Sequence, residues 1–212
     1  MMNENASRAM LLSVKIGFVN GAKNGVLASR EDAVKVRARV EREIAEQPAG
    51  TPIELDFSGV AAISVTFADE CLGRLLSTRL AGFDEDHPLF LTGANEVVRE
   101  TITAALRPRR LQLLSFSDGV ELLGGDDVQR QTIEKAFELE EFSVNELASR
   151  LGLTAQAANN RLAHLVRVGA LSREPVLPSR GGREFRYVAP HPPKTRTSSH
   201  RAPVRRRSVA ST

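Results

Sequence analysis

The chain of 212 residues has a single cysteine, Cys71, so no disulfide framework is available and a reducing cytoplasm fits best. No apolar run approaches the roughly 18 residues that a membrane helix requires. The first eight residues, Met1 to Arg8, lack an apolar core after their charges, which argues against an export signal. Histidine is scarce as well. His87, His164, His191 and His200 show no metal-ligand spacing, so no metal or other cofactor is expected. Gly124-Gly125 stands without the strand and helix that a phosphate loop needs, which leaves nucleotide binding without a cradle.

The 42% hydrophobic content suffices for ordinary globular cores in one or two domains. The net charge of +3 conceals an asymmetry. Residues 1–127 hold 14 basic and 19 acidic side chains, a net of −5, while residues 128–212 hold 15 and 7, a net of +8. A basic half joined to an acidic half points to a polyanionic partner for the C-terminal part.

After a loose leader at 1–10, Leu11 to Val19 has strand character, and Asn20-Gly21 and Asn24-Gly25 supply turns. Ser29-Arg-Glu-Asp32 resembles a helix cap, and Ala33, Val36, Val40 and Ile44 recur at helical spacing to about Glu46. Ile53 to Phe57 alternates as a strand. A helix from about Thr66 to Leu80 carries Phe67, Cys71, Leu75 and Leu76 on one stripe. Pro88 to Gly93 is a third strand, and Asn95 opens a helix that stops near Pro108. Alternation of this kind predicts an α/β sandwich with a mixed, largely buried sheet over residues 11–115. Leu111-Gln-Leu-Leu114 reads as a short edge strand or a helix end, and the Ser, Gly and Asp content of 116–127 reads as a linker.

A second helical region starts near Asp126–Val128. Ser143 is placed to cap a helix with the apolar face Val144, Leu147, Ala148 and Leu151. Gly152 supplies a left-handed turn, and Thr154 caps a further helix that buries Ala158, Leu162, Leu165 and Val166. The opposite face of that helix holds Gln156, Ala157, Asn159, Asn160, Arg161 and His164. Amides suit adenine edges, so Gln156, Asn159, Asn160 and His164 are the expected base contacts. Thr154, Arg161, Arg173, Arg180, Arg183 and Arg186 are the expected backbone contacts. The last four lie in an alternating hairpin, Arg173 to Val188, with a basic tip at Arg180-Gly-Gly-Arg183. Residues 190–212, with Pro, Ser, Thr and Arg and no acids, read as a disordered basic tail that adds nonspecific affinity through counterion release.

Two resemblances follow from these strings. Residues 128–189 resemble the winged helix-turn-helix (α+β) domains of bacterial transcriptional regulators, which implies double-stranded DNA as partner and pairing of two copies on a two-fold operator. Ile53 to Glu70, with Asp56-Phe-Ser-Gly-Val60 at a strand end, resembles STAS-like domains, the relatives of anti-sigma-factor antagonists. That resemblance implies a regulatory protein partner, such as a histidine-kinase-type ATPase, and in antagonists a phosphorylatable serine before the following helix. Aligned by that pattern, Val65 stands at the acceptor position, so the usual serine is missing. Ser64 and Thr66 remain as alternative phosphosites, against the simpler reading of Thr66 as N-cap with Asp69 at the third helical position.

Catalysis is not expected. Asp69 and Glu70 are adjacent on a helix and diverge by about 100°, and Cys71 lies on the apolar stripe. The expected function is a DNA-binding regulator whose STAS-like domain docks a partner. The rival is a partner-switching module in which the winged helix docks protein.

Overall fold

The computed structural model describes residues 11–17, 25–83, 87–176 and 184–190. A five-stranded sheet runs in the order β1-β3-β5-β6-β7: β1 Leu12–Lys15, β3 Ile53–Asp56, β5 Leu89–Thr92, β6 Leu113–Ser115 and β7 Glu121–Leu123. The first four strands are parallel and β7 returns antiparallel. A small parallel pair, β2 Val26–Leu27 with β4 Ala62–Ile63, lies beside it. This is a mixed α/β fold with a parallel-rich sheet.

Helices cover one face. In α1 (Arg30–Ala45) the hydroxyl of Ser29 accepts from the Asp32 amide at 3.3 Å, and Ala33, Val36, Val40 and Ile44 are buried. The second helical segment runs as α2 (Val65–Ala68), a π-helical stretch Asp69–Gly73, α3 (Arg74–Thr78) and a second π-helical stretch Arg79–Phe83. The following helix, α4 (Glu96–Leu106), starts at Asn95, whose Oδ1 accepts from the Val98 amide. These helices pack Phe67, Leu72, Leu75, Val98 and Ile102 against Val14, Ile53, Leu55, Leu89 and Leu91 of the sheet. Gly93, at φ +68°, allows the β5–α4 turn to press on Ser58. A Cβ there would lie 2.3 Å from Ser58 Oγ and 2.7 Å from its backbone nitrogen.

Residues 116–127 differ from the linker expected. Consecutive leucines, Leu122 and Leu123, alternate across the sheet and bury one side chain on each face, so β7 zips onto β6. With that strand in place β6 is interior rather than an edge. Asp126 then caps α5 (Asp127–Leu139) in a reciprocal capping box with Gln129.

The remaining elements are β8 (Glu141–Phe142), α6 (Val144–Leu151), α7 (Ala155–Arg167), β9 (Ser172–Val176) and β10 (Glu184–Val188), with the three strands antiparallel in the order β8-β10-β9. Together with α5 they form a second core of Ile133, Ala136, Phe142, Leu147, Leu162, Leu165 and Tyr187. Phe90, Leu114 and Leu122 from the second face of the large sheet complete that core. Phe90, Phe116 and Phe137 make a chain of edge-on rings at 5.2 and 5.5 Å across the junction. Among the described residues no helix is long and apolar enough to cross a membrane.

Candidate functional site

The stretch from Ser143 to Arg167 is organised by local chemistry. Ser143 and Glu146 cap each other: the Ser143 amide donates to Glu146 Oε2 at 2.7 Å and the Glu146 amide to Ser143 Oγ at 3.4 Å. These hydrogen bonds hold the Glu146 carboxyl below its ordinary range. Gly152 closes α6 in the left-handed region at φ 65°, where other residues are strained. Two residues later the Thr154 hydroxyl accepts from the Ala157 amide at 3.2 Å and starts α7. Ala158, Leu162 and Leu165 face inward.

Gln156, Asn159 and Asn160 are exposed on the first half of α7. Gln156 Nε2 donates to Asn160 Oδ1 at 3.1 Å, and the hydroxyl of Tyr187 reaches Asn159 Oδ1 at 3.5 Å. Tyr187 itself is buried and stacked on Phe142. Gln156 is thus paired with Asn160, and Asn159 with Tyr187.

Arg161 and His164 sit differently from the solvent face expected for them. Arg161 is half-buried and donates to Thr132 Oγ1 of α5 at 3.2 Å. His164 is half-buried beneath the large sheet, and its Nε2 donates to Gln112 Oε1 at 2.8 Å. Burial lowers the His164 pKa, Arg167 lowers it further, and Asp126 opposes. The two positions have different causes: α5 takes up Arg161 within the three-helix unit, while the sheet side, through Gln112, covers His164.

Arg173, exposed on β9, lies over the Phe185 ring at 4.5 Å. Arg186 makes ion pairs with Glu141 at 3.7 Å and Glu146 at 3.5 Å. Arg180 and Arg183 lie outside the described residues, as does the tail from 191 onward.

At the other end of the sheet, Ser64 rather than Thr66 caps α2. Its backbone is extended at φ −84°, ψ 154°, which brings its hydroxyl within 3.0 Å of the Phe67 amide while it donates to the Ala28 carbonyl at 2.9 Å. Thr66 is exposed in the first turn. Asp69 and Glu70 do diverge. Arg109 holds Asp69 through Nε and Nη2 at 2.5 and 3.0 Å and lowers its pKa. Glu70, 5% exposed, faces Arg30, Arg37 and Arg74 at 3.0, 3.4 and 3.0 Å. Burial raises its pKa, but the Arg30 hydrogen bond and the three guanidinium charges outweigh that and lower it overall. Cys71 is fully buried, and burial pushes its thiol up to about 12.

This end of the molecule carries a family match. Residues 32–81 match a STAS-like domain of unknown function (DUF4325). The matched stretch spans most of α1, then β3, β4, α2, α3 and most of the second π-helical stretch, and it includes Ser64, Thr66 and Glu70 of the STAS-like part. No curated protein matches the chain.

Sequence reasoning missed the residues that join the two cores: Phe90, Gln112, Leu114, Phe116 and Leu122. A signal was present. Leu89-Phe-Leu91, Leu113-Leu114 and Leu122-Leu123 are apolar at successive positions, which in a strand means burial on both faces.

Proposed function

We propose that the chain is a binding protein rather than an enzyme: a DNA-binding transcriptional regulator whose C-terminal unit is a winged helix-turn-helix and whose STAS-like domain mediates regulatory protein contacts. The observation that carries this reading is the exposed amide row Gln156, Asn159 and Asn160 on the first half of α7, beside the β9–β10 hairpin. The strand order β8-β10-β9 and the Gly152 turn between α6 and α7 support it. In this reading Gln156, Asn159 and Asn160 approach base edges in the major groove, each good contact contributing about 1–3 kcal/mol of discrimination. Thr154, at a helix N-terminus, and Arg173, Arg180 and Arg183 approach phosphates. A two-fold operator would pair two copies, and an ATPase of the histidine-kinase type is the partner proposed for the STAS-like domain.

One observation favours the rival in which this unit docks protein. Residues 128–190 hold nine basic and seven acidic side chains, so the folded unit is close to neutral. A salt titration of binding to duplexes enriched from a random pool separates the readings. Under DNA recognition, log K falls linearly with log salt, and Arg180→Ala with Arg183→Ala reduces the slope by about one for each phosphate no longer neutralised. Absence of duplex binding at low salt would overturn it in favour of protein docking.

A further inference from the structure

We infer that Gln112, a residue of the large sheet and not of the C-terminal unit, is a positioning residue that sets the rotation of α7 and therefore the aim of its amide row. This rests on the DNA-reading role proposed above for α7. Gln112 is 6% exposed and stands immediately before β6. Its Oε1 accepts from His164 Nε2 at 2.8 Å, and its Nε2 donates to Gln129 Oε1 at 2.5 Å. The same Gln129 oxygen accepts from the Asp126 amide at 3.0 Å and so belongs to the capping box of α5. One side chain from the sheet thus fastens two helices of the C-terminal unit.

The spacing gives this clasp its consequence. Gln156, Asn160 and His164 are four residues apart and lie on one stripe of α7, since residues at i and i+4 share a helix face. The stripe is exposed at Gln156 and Asn160, which hydrogen-bond each other, and passes under the sheet at His164. A helix is stiff over two turns, so fixing His164 fixes the direction in which the amides project. Arg161, bonded to Thr132, anchors α7 to α5 but leaves the sheet out. Gln112 adds a directional hydrogen bond to the apolar packing of α7 on Phe90, Leu114 and Leu122 of the sheet. Displacement of β6 by a partner on the STAS-like side would therefore alter readout without touching the duplex surface.

The test uses the full chain and a duplex enriched by the wild-type protein from a random pool, with an unrelated duplex as control. Gln112→Leu should weaken the enriched duplex about tenfold, the effect of losing hydrogen bonds to a buried partner. Binding to the unrelated duplex and the salt slope should not change, because phosphate contacts are untouched. Gln112→Glu keeps an acceptor opposite His164 but loses the donor to Gln129 Oε1, so it should recover only part of the loss. It should also raise the titration of the His164 ring, followed by NMR, since a carboxylate favours the imidazolium. From the other side, His164→Gln retains a donor and should bind nearly as the wild type does. Equal affinity of wild type and Gln112→Leu for the enriched duplex overturns the inference while leaving the DNA reading intact. Equal loss on both duplexes does the same, by reducing the residue to fold stability. A wild-type protein that enriches no duplex overturns the DNA reading and this inference with it.

Discussion

The two cores meet through aromatic and leucine side chains, so damage to the large sheet should be felt in the C-terminal unit. Phe90→Ala is the sharpest perturbation. Phe90 is 1% exposed, sits on β5 of the sheet, and points into the core built by α5, α6 and α7. Removing a buried phenyl ring costs about 3–5 kcal/mol, and Phe116, edge-on to it at 5.2 Å, is left without that ring to pack on. With a urea slope of about 2–3 kcal/mol/M for a chain of this size, the unfolding midpoint should fall by roughly 1–2 M. The assay is internal to the sequence, which holds one tyrosine and no tryptophan. Tyr187 is stacked on Phe142 in the second core, so its fluorescence follows the C-terminal unit while circular dichroism follows the whole chain. Both probes should give one transition, shifted together. A Tyr187 midpoint that stays in place while part of the dichroism shifts would refute the shared core and make the two units independent.

Three other perturbations follow from the geometry. Ser64→Ala removes the α2 cap and should cost about 1 kcal/mol, or a fall of about 2–4 °C in melting temperature, whereas Thr66→Ala, at an exposed position, should be nearly neutral. The folded-state pKa of Asp69 is depressed by Arg109. Its contribution is therefore complete above the unfolded carboxylate value near about 3.9 and fades as the pH falls through the folded value, and Asp69→Asn should flatten acid unfolding in that range. His164 is also depressed, by burial, but its neutral form is the favoured one. Stability is then complete above the unfolded value near about 6.5 and declines as the pH falls below it, because the unfolded state binds the extra proton. Midpoints measured across that window should decline less steeply in His164→Gln.

The parts legible in the sequence are those written in local chemistry. Ser29, Asn95, Ser143 and Thr154 are caps because a short polar side chain in extended backbone reaches the third amide of the helix, and each does so here. Gly152 ends α6 because it accepts a left-handed φ. The cap of α2 lies two residues before the one expected, since Ser64 and Thr66 are chemically similar and it is Ser64 that the distant Leu27 and Ala28 carbonyls hold, by its amide and its hydroxyl. β7 is hidden for a related reason. Three residues flanked by Gly and Asp form a strand only because β6 is already there to pair with, and pairing is not encoded in composition. The inward turn of His164 depends on Gln112, 52 residues earlier, and helical periodicity carries no information about a partner that distant.

In the DNA-binding function proposed above, charge and geometry would divide the work between different parts of the C-terminal half. Of its +8, the span 128–190 supplies only +2, while residues 191–212 hold six basic side chains and no acid. Counterion release depends on the number of phosphates neutralised and ignores their sequence, so the bulk of any salt-dependent affinity falls to the tail together with Arg180 and Arg183. Discrimination between bases would fall, in the same proposal, to neutral amides that contribute little until they are aimed. Aim is a property of the fold, and the inferred route to it runs from α7 through His164 to Gln112, just before β6. The near-neutral span 128–190 is therefore consistent with the proposed reader, in which attraction and selection are physically separate. Under that proposal, a partner acting at the sheet would change selection while leaving attraction unaltered.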